Sequence, residues 1–496
     1  MSEGSPIHGG IHGPDMTRRT LLQRAVSLGV GASTLGALEL FGLAPERAAA
    51  AGSPRLPEIQ FEIESHLAPA FSIDGVRVHF APVYTTFATF TLSRAPTLSD
   101  RSALETALAT VEATYPFSPS GVFTTIAYGI PYFDLLPGGM NGELVAAHMP
   151  KLLTEQSRYA LEEALPGPTD VSSLNPGITK ERFQVPVAIE SNDVLLMLRS
   201  DSLAVIDEIL AWICGESEQL AGLAKGPSRL AGLLTPTSRR LMFNQVGLPR
   251  RIAEEHDLPY TETLNPESNM WMGFVDQQVG SSGSPAIVTF DGKGLVRLTT
   301  ALPGDYFDKG SVVHLSHLIQ DLEQFYARPG EVFERRVSEM FASAPPPSKG
   351  NTDQFTDGGG PAGVRNAFRG TTAAEHEASG SGTFDKQPHI GHTTALQRTS
   401  RTAKGTPLHI RADGPGYDTL DVPDGSAQPK LHFSIFVPTA EQFATMRRSQ
   451  ASLDLAERFS VPPANLGIER FITATRRQNF LVPPRRHRAF PLLELA

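Results

Sequence analysis

Val83 to Leu92 reads VYTTFATFTL, and this run limits the possible folds more than any other part of the chain. Its β-branched and aromatic residues, in partial alternation, suit a pleated surface buried on at least one side, and predict a strand. A strand of this kind needs neighbours in a sheet and a cover over its apolar face. The next segments supply both. Ser99-Asp100 predicts a helix cap, and Leu104, Leu108 and Val111 follow at intervals of four and three along one helical face. Val122 to Tyr128 (VFTTIAY) predicts a second strand, and Asp193 to Leu198 (DVLLML) a third. Ser200-Asp201-Ser202 then predicts the cap of another helix, with Leu203, Ile206, Leu210 and Ile213 on one face.

Strand, helix, strand, followed by strand and helix, is the order of a βαββαβ unit, a ferredoxin-like arrangement with helices on one side of an antiparallel sheet. The order recurs after Gly273. Ala286-Ile287-Val288, Leu295 to Leu298 and Ser311 to Leu315 read as extended, and Leu318 to Met340 as helical with a break at Arg328-Pro329-Gly330. Leu431 to Val437 (LHFSIFV) predicts a strand, and Thr439 caps a helix carrying Phe443, Met446 and Leu453. Gln478 to Val482 predicts a last strand, stopped by Pro483-Pro484. The fold class expected is α+β, two tandem ferredoxin-like units with antiparallel sheets, of the dimeric α+β barrel type. The domains expected are 52–270 and 271–496, the second carrying a low-complexity insertion at 343–387. That insertion contains Pro345-Pro346-Pro347, Gly358-Gly359-Gly360 and Gly380-Ser381-Gly382, and predicts a surface loop.

The first 51 residues predict an export signal and not part of the fold. Thr17-Arg18-Arg19-Thr20-Leu21-Leu22 is a twin-arginine motif, followed by a weakly apolar run and by Ala48-Ala49-Ala50-Ala51, small residues that suit signal peptidase. This predicts the twin-arginine translocase as a partner during export, and a periplasmic, extracellular or envelope-associated protein. The route carries folded proteins, often already loaded with a cofactor. A net charge of −10 argues against a general nucleic-acid or anionic-membrane binder. Cys214 is the sole cysteine, which excludes intramolecular disulfides and cysteine-based zinc or iron–sulfur sites. There is no P-loop, no HExxH and no GxSxG nucleophile elbow.

Two stretches carry candidate chemistry. Met272-Gly273-Phe274-Val275-Asp276-Gln277 places an acid in a glycine-flanked turn. Gly391-His392 begins a segment that ends in Leu408-His409-Ile410-Arg411-Ala412-Asp413, with a turn rich in Lys, Gly and Pro between. His392 and Arg411 are 411 − 392 = 19 positions apart. Arg411 sits on a half-apolar strand, where an inward arginine needs a partner, and Asp413 shares its face. These features, in this order, resemble the dye-decolorising peroxidase family of haem proteins, which carries a GxxDG motif, a proximal histidine and, about twenty residues later, a distal arginine. Phe480-Leu481-Val482-Pro483 resembles that family's FxVP ending. Gln277 departs from the pattern, standing where the second glycine of GxxDG is expected.

The resemblance implies two ferredoxin-like halves, haem b as cofactor, and hydrogen peroxide with an organic electron donor as substrates. It implies His392 as the axial iron ligand, with His389 as the alternative. It implies Asp276 as the acid that moves the peroxide proton and Arg411 as the cation that stabilises developing charge. Asp413 is expected to orient Arg411 or to join the distal pocket. Glu441 or Asp454 can accept the other ring proton of the ligating histidine. Arg476-Arg477 and Arg485-Arg486-His487-Arg488 read either as a solvated basic face or as partners for haem propionates, with Arg477 as the cofactor-binding candidate. Trp271, Tyr326 and Tyr417 are aromatic residues able to relay electrons to a bulky donor. The expected activity is an exported haem peroxidase. The alternative is a haem- or iron-handling binding protein of the same fold with little turnover. The fold class also allows a homo-oligomer.

Overall fold

The computed structural model describes residues 56–67, 71–73, 76–78, 81–264, 266, 268–272, 283–294, 296–327, 407–451 and 469–496. Pro57–Ala496 form one compact unit. The twin-arginine motif, the insertion at 343–387, Asp276, Gln277, His389, His392, Leu453 and Asp454 lie outside the described residues.

Ten strands build the main sheet: β1 (Tyr84–Leu92), β2 (Phe123–Tyr128), β3 (Ala188–Ile189), β4 (Val194–Ser200), β5 (Leu234–Phe243), β6 (Ser311–Gln320), β7 (Ile410–Arg411), β8 (Gly414–Asp418), β9 (Gln428–Val437) and β10 (Ile472–Val482). Their order is β7-β9-β6-β10-β2-β4-β1-β5, with β8 also on β9 and β3 also on β10. Four helices of eight residues or more accompany them among the described residues: α1 (Leu98–Thr114), α2 (Leu203–Ile213), α3 (Leu248–Glu255) and α4 (Ala440–Gln450). No described helix is long and apolar enough to cross a membrane.

This architecture corrects the expectation of two antiparallel sheets of the α+β barrel type. The strands of both halves belong to one continuous sheet, joined where β10 meets β2 through the pair Leu481 and Tyr128. The sheet is mixed, because β3 runs parallel to β10. It does not close into a barrel among the described residues. The physical reason lies at β8, which faces β5 with Gly414-Pro415-Gly416. Pro415 has no N–H to donate, and the two glycines approach the β5 backbone closely but form no ladder with it among the described residues.

The two faces of the sheet bury different cores. On one, Ala88, Phe90, Ile126, Val312, Ile435 and Leu481 pack under α1, α2 and α4, which contribute Leu104, Leu108, Val111, Ile206, Leu210, Ile213, Phe443 and Met446. On the other, Phe87, Ala127, Leu195, Met242, Val313, Leu315, Phe436 and Phe480 meet Ile59 and Phe61 from the first described segment. Alternation along each strand assigns these residues to opposite faces, as the pleat requires.

Several local details differ from the sequence reading. The α1 cap is Thr97, not Ser99-Asp100. Thr97 accepts from the Asp100 backbone, and the Asp100 carboxylate accepts from the Thr97 N–H in return. Leu318–Gln320 continue β6 because ladders on both sides hold them, so the helix begins only at Leu322. Ala286–Val288 lie in turns, where the Val288 N–H bonds the Ser284 carbonyl.

A buried charge cluster fastens β10 and α4 to the segment before β3. Arg477 donates from Nε and Nη2 to Asp170, at 2.6 and 2.9 Å. Arg447 donates from both terminal nitrogens to Glu469, at 3.1 and 3.0 Å. Burial pushes the Glu469 carboxyl up, but Arg447 outweighs it and holds the group down from 4.5 to about 2. A carboxyl depressed by folding contributes stability that is present above its unfolded value and lost as pH falls through the folded one. Acid denaturation followed by circular dichroism should therefore show stability falling between about pH 4.5 and 2. Glu469→Gln should be less stable at pH 7 and should lose less on acidification across that window. At β8, a β-carbon on Gly416 would collide with the His432 ring and come within 2.9 Å of the Leu241 carbonyl oxygen. Gly416→Ala should cost about 1–3 kcal/mol in denaturant unfolding, as overpacked interiors do.

Candidate functional site

Strand register settles where the described candidates sit. Arg411 lies opposite Ile435, which lies opposite His314, which lies opposite Asn479. Residues directly across a ladder share a face, so Arg411 stands on the face covered by α4. Ala412 is buried in the opposite core and its N–H bonds the Ser434 carbonyl. Alternation then places Asp413 on the Arg411 face as well. Arg477 is on this face too, three strands from β7, opposite Ser316. His314 is fully buried here, stacked on Phe443 and hydrogen-bonded to Asn479 at 2.7 Å and to Ser316 at 2.5 Å.

The described residues fit haem, the cofactor that the resemblance implies, unevenly. Arg411 and Asp413 rise together from one edge of the sheet, a cation and a carboxylate on one face. Arg477 is already engaged at all three nitrogens, two on Asp170 and Nη1 on Ser316 at 2.6 Å. His314 has both ring nitrogens bonded and offers no free atom to iron. Glu441 pairs with Arg158 at 3.0 Å. The C-terminal basic run is not an open basic face. Arg476 pairs with Asp421, Arg485 with Glu112, Arg486 with Asp308 and Arg488 with Glu105. Trp271 donates to the Gly416 carbonyl at 2.9 Å, Tyr326 donates to the Trp271 carbonyl at 2.7 Å, and the Trp271 and Tyr417 rings lie 6.1 Å apart.

The other face carries a polar cluster that the sequence reading did not find. His317 of β6 lies opposite His432 of β9 in the ladder, and Asp418 ends β8 beside them. His317 Nε2 is 3.7 Å from Asp418 Oδ1, and His432 Nε2 is 3.4 Å from Asp418 Oδ2. Both histidines are fully buried. Lys430 Nζ sits 3.5 Å from Asp418 Oδ1 and donates to the Leu420 carbonyl at 2.6 Å. Arg240, also fully buried, pairs with Glu190. A bulge shapes the cluster. His317 pairs with Arg476 and Leu318 with Ala474, so Thr475 is the extra residue. Its hydroxyl meets His317 Nδ1 at 2.8 Å and Asp421 Oδ2 at 2.9 Å.

Burial alone would raise the Asp418 carboxyl, but the two imidazoles beside it hold it well below the usual carboxylate range. Burial pushes His432 down to about 4, against the pull of Asp418. The carboxylate is therefore charged and the His432 imidazole neutral at pH 7. Burial also lowers the Lys430 ammonium, against Asp418 and Asp421. Sequence could have pointed here only through the alternation of β9, which sets His432 and Lys430 on one face. Nothing in it ties them to His317 or Asp418.

Among curated proteins, none matches the chain in sequence. Its fold is similar, at low identity, to solved DyP-type peroxidases. The encapsulated enzyme from Mycobacterium smegmatis is 15% identical, covering 83% of this chain and 95% of that one, with a TM-score of 0.45. A dye-decolorizing peroxidase from Bacteroides thetaiotaomicron is 14% identical over 83% and 95%, at 0.44. DyPB from Rhodococcus jostii is 14% identical over 83% and 95%, at 0.46. Residues 155–484 match the family of unknown function DUF7405, and with well over half of its length inside that match, the chain belongs to this family.

Proposed function

We propose that the protein is an exported haem peroxidase that reduces hydrogen peroxide and oxidises an organic donor. The observation that carries the reading is the projection of Arg411 and Asp413 from one edge of the sheet onto one face. It is supported by the order of Asp276, His392 and Arg411 in the sequence. Bound haem supplies a redox-active iron at which peroxide is reduced. The protein's part is ligation, proton movement and charge. His392 would hold the iron through a neutral imidazole nitrogen. With haem bound, the Asp276 carboxylate would take a proton from hydrogen peroxide and give one back to the oxygen released as water. The Arg411 guanidinium stabilises the charge that builds on that oxygen, and the Asp413 carboxylate fixes the guanidinium. Arg477 meets a haem propionate only if that propionate displaces Asp170.

Gln277 favours a second reading, a haem- or iron-handling protein with little turnover, because a side chain replaces the motif glycine beside Asp276. The test is the absorption spectrum of the full chain purified with haem supplied, together with peroxide turnover. The wild type should show a Soret band, and His392→Ala should lose it. Arg411→Leu should keep the band and lower turnover about 100- to 1,000-fold, the usual cost of a lost charge-stabilising donor. A Soret band with no turnover in the wild type would favour the second reading. No band in any variant would remove both.

A further inference from the structure

We propose that His317, Asp418 and His432 form a binding site for one divalent first-row transition metal ion, on the face of the sheet opposite Arg411. The inference is independent of the haem reading.

It begins with the His317 tautomer. Asp421 is held by Arg476 through two hydrogen bonds of 2.7 and 2.6 Å, the geometry of an ionised carboxylate. An ionised carboxylate only accepts, so the Thr475 hydroxyl donates its one hydrogen to Asp421. The same oxygen must then accept from His317 Nδ1–H. In the neutral imidazole that leaves Nε2 of His317 as a lone pair, and it faces Asp418 Oδ1 at 3.7 Å. Among the described residues, His317 Nε2 and both ring nitrogens of His432 have no hydrogen-bond partner. A lone pair turned toward the oxygen of the half-buried Asp418 carboxylate, whose side chain is 31% exposed, is repulsive unless a hydrogen donor or a cation lies between them. Lys430 Nζ donates to the Leu420 carbonyl and stands 3.5 Å from Asp418 Oδ1, so it borders the site and balances part of the charge on that carboxylate.

The dimensions suit a metal ion. The three ligand atoms lie within 4.8 Å of one another. With bonds of about 2.1 Å, two ligands of a tetrahedral ion stand about 3.4 Å apart, and each histidine lies near that distance from its own Asp418 oxygen, His317 Nε2 3.7 Å from Oδ1 and His432 Nε2 3.4 Å from Oδ2. Two imidazoles and one carboxylate are a borderline set, suited to zinc, iron(II), cobalt(II) or manganese(II) more than to magnesium or calcium. The second layer is also in place. Thr475 and Asp421 fix the His317 ring, as outer groups do for metal-bound histidines. Gly416 has no side chain where the His432 ring passes.

The test is zinc binding to the full chain after treatment with a chelator, by calorimetry and by elemental analysis of the dialysed protein. It should be run with and without haem supplied. The wild type should bind one equivalent and unfold at a higher temperature with zinc than without. His432→Ala and His317→Ala should lose that equivalent. Thr475→Val keeps all three ligands and removes the hydroxyl that links the His317 ring to Asp421, so it should weaken binding about 10- to 100-fold, as loss of an outer partner does. His256→Ala, a histidine outside the cluster, should bind as the wild type does. A wild type that takes up no zinc, cobalt(II) or iron(II) would overturn the assignment. So would binding that survives both the His317→Ala and His432→Ala substitutions. Should either variant fail to fold, Thr475→Val decides, because unchanged affinity there would equally contradict the ligand set.

Discussion

Four buried charges hold the sheet to the segments around it. Asp170 and Glu469 are acids, Arg447 and Arg477 bases, and each acid takes two hydrogen bonds from an arginine. Arg447 also lies 3.8 Å from Asp170, which links the two pairs. Thr169 donates to Glu469, and Lys180 reaches the Glu469 carbonyl. Taking such groups out of water is expensive, and their attraction offsets the cost only when every donor and acceptor is met. The cluster is therefore specific before it is stabilising. It fixes the 167–180 segment, the end of α4 and the middle of β10 relative to one another. Removing one charge would leave another buried without its partner.

From that anchor, β10 carries information to both faces. Arg477 turns toward α4 and Asp170, and Arg476 turns away, toward Asp421 and Glu190. Two adjacent arginines that read alike in sequence thus serve different cores. Alternation along the pleat is enough to turn them to opposite faces, and the bulge at Thr475 precedes them. The extra residue supplies a hydroxyl to His317 without disturbing the ladder on either side. β9 is divided in the same way, with His432 and Lys430 on one face and Phe433 and Ile435 on the other.

The parts of the fold legible in sequence are those with clean periodicity. VYTTFATFTL, VFTTIAY, DVLLML and LHFSIFV all form strands near their predicted bounds, because each is rich in β-branched, leucine and aromatic residues and is largely buried on both sides. β5 escaped notice. Leu234–Phe243 reads LTPTSRRLMF, and its Pro236 and two arginines resemble a loop. It is an edge strand, where a proline costs no ladder bond, and its inward Arg240 is compensated by Glu190. The single sheet was not legible either, because the joint between halves rests on one residue pair and on tertiary hydrogen bonds, such as the Tyr128 hydroxyl donating to the Arg488 carbonyl. Arg411 and Asp413 could be read as sharing a face because that follows from alternation alone. The His317, Asp418 and His432 cluster could not, since three segments contribute one residue each and no local spacing encodes it.

The two sites, as proposed, sit back to back. Arg411 and His432 are carried on neighbouring strands but on opposite faces, so the sheet itself lies between them. This has a chemical consequence. Backbone hydrogen bonds of β6 and β9 fix both sets of side chains at once, while the side chains on one face make no direct contact with those on the other. Electrostatic influence across the sheet is therefore unscreened by water but limited by distance, and it falls with separation as a Coulomb interaction in a protein interior does. A divalent ion at His317 and His432 would add positive charge behind Arg411 and His314. That would leave His314 still less inclined to take a proton than burial and Arg477 already make it. The arrangement keeps the buried histidine of the Arg411 face neutral whatever occupies the other.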